Sequence, residues 1–425
     1  MTTTDPGPET PREPSRGYAW LVVGLLWGVA LLNYLDRQML STLQGSMKLD
    51  IAELRNAEDF GRLMAVFLWI YALMSPVTGL IADRVSRKWV ITGSLFVWSG
   101  VTLAMGFATT FGELYILRAL MGVSEALYIP AGLALIADYH RGGTRSLAVG
   151  VHMTGLYVGQ ALGGFGAAVA QSLSWQKTFR AFGLVGVLYA LALVALLREH
   201  PSRMDKRSGE KAPASGGGLA SMARSLSLLL GTLSFWVILF YFAAPSFPGW
   251  ATKNWLPTLF SKTLGLDMTR AGPLATVVIA GSAFAGVFAG GVLADRWIRT
   301  NVRGRIYTGA IGLGLTVPAL GLLGLGASLA AVLGGAVLFG VGFGMFDANN
   351  MPILCQFVAP RHRAAGYGLM NMVGVSAGAL VTGLLGRSAD AGHLGRAMAF
   401  LAVPVLAAVA LQLAVLRPET ADRSE

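Results

Sequence analysis

The sequence predicts an all-α membrane protein: twelve transmembrane helices in two six-helix bundles related by internal duplication. Three observations carry that expectation. Apolar residues make up 54% of the 425 and charged residues only 13%, whereas a soluble domain carries about 25% charged residues. Twelve apolar runs each approach the ~20 residues that cross a hydrocarbon core of ~30 Å as a helix. A charged cluster, GLIADRVSRK from Gly79, returns half a chain later as GVLADRWIRTNVRGR from Gly291.

The chain opens on MTTTDPGPETPREPSRG, which is polar and proline-rich and has no short apolar core before a cleavage site. It reads as a disordered cytoplasmic tail, residues 1–17, not as a cleavable signal. The apolar runs then fall at roughly 18–40, 60–82, 89–108, 112–136, 146–170 and 178–197, and at 232–259, 273–295, 305–326, 329–354, 364–386 and 396–416. Between the two sets lies the longest connection, basic at first and then rich in Pro, Gly and Ser, as a flexible linker should be. The expected organisation is an N-terminal bundle over 18–200, a cytoplasmic linker over 201–225, a C-terminal bundle over 226–417 and a cytoplasmic tail over 418–425.

Charge sets the orientation. With the amino terminus inside, the tails and the loops on the same side hold 21 of the 33 lysines and arginines. The opposite loops and span ends hold ten, and Arg37 and Arg118 lie within spans. That asymmetry follows the positive-inside rule, so both termini are expected in the cytoplasm. It also accounts for the net charge of +11 without nucleic acid, because the bases are spread along one membrane face. The 55 glycines suit closely packed membrane helices, and a single cysteine, Cys355, excludes an intrachain disulfide.

The duplication runs deeper than the opening pair. Gly122-Val-Ser-Glu125, Pro130 and His140-Arg141 are matched 222 positions later by Gly344-Met-Phe-Asp347, Pro352 and His362-Arg363. Two related six-span halves are a transporter architecture, with the binding site near mid-membrane between them. Gly79 and Gly291 allow close helix approach at the cytoplasmic end of an even-numbered span. Asp83, with Arg84 and Arg87, and Asp295, with Arg296, sit at the membrane edge, where a carboxylate caps a helix or pairs with arginine. They are expected to latch the halves on the inner side.

These residues resemble the major facilitator superfamily, whose hallmark loop between spans 2 and 3 is a glycine, an Asp-Arg pair and further bases. Gly79, Asp83, Arg84, Arg87 and Lys88 match it in order, and Gly291, Asp295 and Arg296 match the weaker copy between spans 8 and 9. Arg118-Ala-Leu-Met-Gly-Val-Ser-Glu-Ala126 is similar to the family's span-4 motif. Asn33-Tyr-Leu-Asp-Arg37 and Asn254-Trp-Leu-Pro257 resemble the anion:cation symporter branch of sugar-acid and organic-anion permeases, which implies proton-coupled transport of a small carboxylate. Spinster-like lipid carriers share the Asp-Arg pair of span 1 and the acid of span 4.

Charges within spans mark the candidate site. A charge at mid-membrane costs ~2.5–3.5 kcal/mol on insertion scales, so it faces a cavity or a partner. Asp36, Arg37, Arg118 and Glu125 qualify. Arg118 and Glu125 are seven residues apart and share one face of span 4. The simplest arrangement sets Asp36 near Arg118 and leans Arg37 toward Glu125. A substrate carboxylate then competes for the Arg37 guanidinium, and the freed Glu125 takes a proton; Asp36 is the other candidate carrier. Arg118 is the more structural of the four.

Asp347, the counterpart of Glu125, is followed by Asn349 and Asn350, a set suited to polar ligand groups or to helix packing. Tyr34 shares the face of Arg37, and His152 and Gln160 on span 5 either line the cavity or bond a neighbouring helix. Lys253 is an anion contact or snorkels to the outer interface, and Asn371 on span 11 is a further polar candidate. Pro245, Pro248 and Gly249 predict a break in span 7. No phosphate-cradling loop, paired-histidine metal motif or hydrolase elbow is visible, so no cofactor, metal or enzymatic activity is expected. The expected protein is a monomeric secondary transporter of the bacterial inner membrane. It moves a small organic anion, a sugar acid or related carboxylate, with protons; a lysolipid carrier and a non-transporting sensor are the alternatives.

Overall fold

A computed structural model of the chain describes residues 15–140, 144–200, 219–420 and 422. The side chains of residues 79, 80, 82–84, 146 and 219–221 lie outside that description, as do the N-terminal tail to residue 14 and the linker to residue 218. The described residues form helices and no strands.

Spans 1 to 3 are Arg16–Met47, Ala57–Arg84 and Arg87–Met105. Span 4 is Phe111–Ala126 with Tyr128–Tyr139, span 5 is Arg145–Gly163 with Gly166–Leu173, and span 6 is Trp175–Leu196. The second half repeats the order: Leu233–Leu264, Met268–Trp297, Gly304–Leu325, Leu329–Asp347 with Asn350–Phe357, Pro360–Asp390, and Leu394–Phe400 with Ala402–Val415. Among the described residues, eleven of these twelve are long and apolar enough to cross a membrane. Span 5 is not among the eleven; a turn at Gly164-Phe165 divides it into helices of 19 and 8 residues. Large apolar side chains such as Phe288, Phe400 and Val403 stand exposed around the bundle, as a lipid-facing surface requires.

The linker reading needs correction at its end. From Leu219 the chain is already helical, and this helix continues to Leu230. Ser225 and Leu229 are buried, with Met222 and Leu226 partly so, which is the one-sided pattern of an amphipathic helix lying on its neighbours. It packs on span 11, where the Ser225 hydroxyl lies 2.8 Å from Nδ1 of His362.

Helix interruptions fall where the duplication puts them, not in span 7. Span 7 runs unbroken through Pro245, Pro248 and Pro257, because neighbouring helices hold a proline-containing membrane helix together; spans 8, 11 and 12 pack against it. Spans 4 and 10 are instead interrupted directly after the acids, at Leu127 and at Ala348-Asn349. A proline cannot donate to the carbonyl four residues back, so Pro130 and Pro352 deprive Ala126 and Ala348 of their helical partners.

Glycine sets the closest approaches. Gly155, Gly159 and Gly163 form one stripe of span 5 against span 1; a β-carbon on Gly159 would lie 2.2 Å from the Leu31 carbonyl oxygen. Only a residue without a side chain allows that backbone contact.

The halves meet along span 2 against span 11 and span 5 against span 8, with span 1 touching span 7. On the face opposite the termini, the Asp390 carboxylate accepts the backbone N–H groups of Ala57 and Glu58, each at 2.8 Å. It caps span 2, whose own N-cap residue Asn56 makes no side-chain bond. Arg387 donates to Glu58 at 2.8 Å, Gln38 to the Lys253 carbonyl at 2.8 Å, and Thr276 to the Ala161 carbonyl at 3.0 Å. Nearer the termini, Asn371 donates to Ser75 at 2.9 Å. The expected latch reads differently at that end. Asp295 and Arg296 stand exposed, and neither forms an ion pair among the described residues. Arg87 pairs with Asp138 and the Ala134 carbonyl of span 4, within its own half. The side chains of Gly79, Asp83 and Arg84 lie outside those described.

Candidate substrate and coupling site

A cavity lies between spans 1, 5, 7, 8 and 10. Its polar lining is Tyr34, Tyr157, Gln160, Thr252, Lys253 and Asp347. On span 5, Met153, Leu156, Tyr157 and Gln160 face it at helical spacing; on span 7, Gly249, Thr252 and Lys253 do. Of the residues picked out in the sequence, the cavity brings together Tyr34, Gln160, Lys253 and Asp347.

Lys253 does not snorkel outward. Its ammonium lies over two rings, 4.7 Å from the centre of Trp250 and 5.6 Å from that of Tyr34, and no carboxylate is within ion-pair distance among the described residues. Asp347 is open to the cavity although deep in the protein, and one of its oxygens accepts from the Asn350 amide at 3.1 Å. The cavity thus holds one cation and one anion that do not neutralise each other by direct contact. Such groups remain available to a ligand that carries the complementary charge and hydroxyl.

Behind Tyr34 lies a buried ion pair. Arg37 Nε donates to Glu125 Oε2 at 2.5 Å; the arginine side chain is 10% exposed and the glutamate 0%. Three rings surround the guanidinium, with centres at 4.8 Å for Tyr71, 5.0 Å for Phe67 and 5.1 Å for Tyr34. Aromatic faces stabilise a cation that water cannot reach. The pairing is still incomplete: Arg37 Nη2, Glu125 Oε1 and both amide atoms of Asn33 are buried without a hydrogen-bond partner. A polar cluster so arranged is poised to accept another partner. Tyr34 connects the two regions: it lines the cavity with Lys253, 5.6 Å from its ring, and its ring also lies 5.1 Å from Arg37, which does not line the cavity.

Several expected placements are corrected. Arg37 and Glu125 do not line the cavity; they sit one ring behind it. Asp36 lies within electrostatic reach of Arg118, as expected, but its hydrogen bond is to span 3, where Thr102 donates to it at 3.3 Å, and among the described residues it forms no ion pair. Arg118 is buried over the Phe67 ring at 4.6 Å and donates to the Met121 sulfur at 3.1 Å, an anchor for spans 2 and 4. His152 is fully buried against Tyr128, with ring centres 5.9 Å apart; it lies roughly a quarter-turn around span 5 from the cavity stripe. Asn349 turns back to the Met345 carbonyl of its own helix at 2.8 Å, Asn350 holds Asp347, and Asn371 joins spans 2 and 11.

Residues that sequence reasoning missed are aromatic. Phe67 and Tyr71 on span 2 form the arginine box, and Phe339 and Phe343 on span 10 form part of the cavity wall. Their signal was present: Phe339, Phe343 and Asp347 recur every fourth residue, so they share one face of span 10.

Two duplicated helical halves that meet around a central charged cavity define a membrane transporter. The chain belongs to the Major Facilitator Superfamily, matching the family model over residues 26–382. It is similar to Protein spinster homolog 1 of Rattus norvegicus, 32% identical over 236 residues; the match spans 53% of this chain and 44% of that protein, so this chain is aligned to less than half of that relative. The Gallate transporter of Pseudomonas putida is 28% identical over 94% of this chain and 92% of that one. The Galacturonate transporter of Dickeya chrysanthemi is 26% identical over 60% and 75%. Among solved structures, a bacterial homolog of the human lysosomal transporter Spinster, inward-facing and unoccupied, superimposes with a TM-score of 0.77 at 21% identity, over 94% of this chain and 97% of that chain. At that identity the likeness is one of fold.

Proposed function

We propose that this transporter moves a small organic anion together with protons by alternating access, in a bacterial plasma membrane with both termini in the cytoplasm. The carrying observation is the arrangement around Tyr34: its ring lies 5.6 Å from an unpaired lysine of the cavity and 5.1 Å from the guanidinium of the buried Arg37–Glu125 pair. The gallate and galacturonate relatives, both carriers of carboxylates, support the anion reading. The clamp of Asp390 on Ala57 and Glu58 supports a state closed on the outer face.

In this reading the substrate carboxylate is first drawn to Lys253. When Tyr34 yields, the guanidinium of Arg37, which has an unused Nη2, turns to the same carboxylate and binds it as a fork. Glu125 then loses its ion-pair partner in a fully buried position and keeps only the more distant charge of Arg118. A buried lone carboxylate is too costly to keep, so it takes up a proton. Anion and proton thereby strengthen each other's binding, as linkage demands. Among the described residues Asp36 hydrogen-bonds to Thr102 and forms no ion pair that a substrate could displace, so Glu125 is the carrier in this scheme.

The resemblance of Asp36-Arg37 and Glu125 to spinster-like lipid carriers, with the match to Protein spinster homolog 1, supports a second reading, an amphipathic-lipid carrier. One experiment separates these readings from a non-transporting sensor. Purified protein in proteoliposomes, given an acidic exterior, is expected to accumulate a labelled small carboxylate above its external concentration, and a protonophore should abolish the gradient. Equilibration without accumulation would contradict the coupling. Transport of a lysolipid but of no carboxylate would move the assignment to the second reading, and movement of neither would leave a sensor.

A further inference from the structure

The cavity wall carries information about the substrate that its charges do not. On span 10, Phe339 and Phe343 line the cavity with their rings 5.7 Å apart and 16° from parallel. Asp347 lies one turn beyond them on the same face. Gly249 on span 7 makes room for this wall, since a β-carbon there would lie 2.6 Å from the Phe343 ring.

The polar lining is already partly engaged: the Thr252 hydroxyl donates to the Gly249 carbonyl at 3.0 Å and one oxygen of Asp347 accepts from Asn350, which leaves the Tyr34 and Tyr157 hydroxyls and the Gln160 amide as the neutral polar groups beside Lys253. A hexuronate presents hydroxyls around its whole ring, and each one buried without a partner counts against binding. A planar ring has two apolar faces, and aromatic side chains favour it in stacked or edge-on geometry.

Resting on the anion-transport reading, we propose that the substrate is a hydroxylated aromatic carboxylate. Its ring lies against Phe343, which the buried Phe339 backs, its carboxylate meets Lys253, and a ring hydroxyl donates to the open oxygen of Asp347. This narrows the sequence expectation of a sugar acid, because the fold has turned two phenylalanines into the pocket that sequence reasoning did not place there. Phe343 is a specificity residue in this arrangement, not a coupling residue.

The test compares 3,4-dihydroxybenzoate, benzoate and galacturonate, by calorimetric binding to the purified protein and by counterflow in proteoliposomes. The expected order is dihydroxybenzoate tighter than benzoate, with galacturonate at least about tenfold weaker than the first. In Asp347→Asn the advantage of dihydroxybenzoate over benzoate should shrink several-fold. In Phe343→Leu, which keeps an apolar side chain of similar reach, the ratio of dihydroxybenzoate to galacturonate affinity should fall about tenfold; Phe343→Ala should do the same if it folds. Galacturonate bound and exchanged as well as the aromatic acids, or an unchanged ratio in Phe343→Leu, would overturn the aromatic assignment and leave the anion carrier standing. If no carboxylate were exchanged while a lysolipid was, the underlying anion reading would fall too.

Discussion

Glu125→Gln is expected to abolish proton-driven accumulation while leaving exchange of anion for anion. For a monoanion carried with one proton, a gradient of one pH unit supplies about 1.4 kcal/mol, enough for about tenfold accumulation. The glutamine fills the same buried space beside Arg37 but cannot gain or lose a proton in the cycle. The inside-to-outside ratio in proteoliposomes should therefore drop from about ten to about one at the same imposed gradient. Counterflow, which needs only a reorienting loaded carrier, should persist. Accumulation undiminished in the variant would place the proton elsewhere, and Asp36 would be the next residue to replace.

Lys253→Met carries the second large effect, on binding. A hydrogen bond to a charged group contributes about 1.5–3 kcal/mol, so the anion should bind about 10- to 150-fold more weakly. The substitution keeps the length of the side chain and leaves the Lys253 carbonyl free to accept from Gln38, so the contact between the halves survives. Calorimetry on the variant reads the change directly. Lys253→Arg should recover part of the affinity, because it restores the charge. A variant that binds as tightly as the parent protein would return Lys253 to the interfacial role that sequence reasoning left open.

Much of this protein is written in its hydropathy and its repeat. The spans, their division into halves and the pairing of Gly122–Glu125 with Gly344–Asp347 follow from composition and spacing, and the helices lie where the apolar runs predict them. Arg37 leaning on Glu125 was legible because a lone charge within a span must find a partner. Helix rotation was not legible. Periodicity says which residues share a face, but the packing of glycine stripes such as Gly155, Gly159 and Gly163 against span 1 decides where that face points. That is why the sequence left His152 open between the cavity and a neighbouring helix, and the structure sets it against Tyr128 of span 4. Lys253 had two readings of equal chemical sense until span 7 proved continuous, which turns the residue inward with Gly249 and Thr252. The aromatic box around Arg37 escaped notice because phenylalanine and tyrosine in a membrane helix look like ordinary lipid-facing or core residues.

The thermodynamic core of the proposal is that a guest anion and a hydrogen ion enter together. Calorimetry in buffers of different ionisation enthalpy measures the number of protons taken up as the carboxylate binds to the detergent-purified protein near neutral pH. About one proton absorbed per anion, falling to none in Glu125→Gln, is the predicted result. Tight anion binding with no proton uptake in the unmodified protein would contradict it.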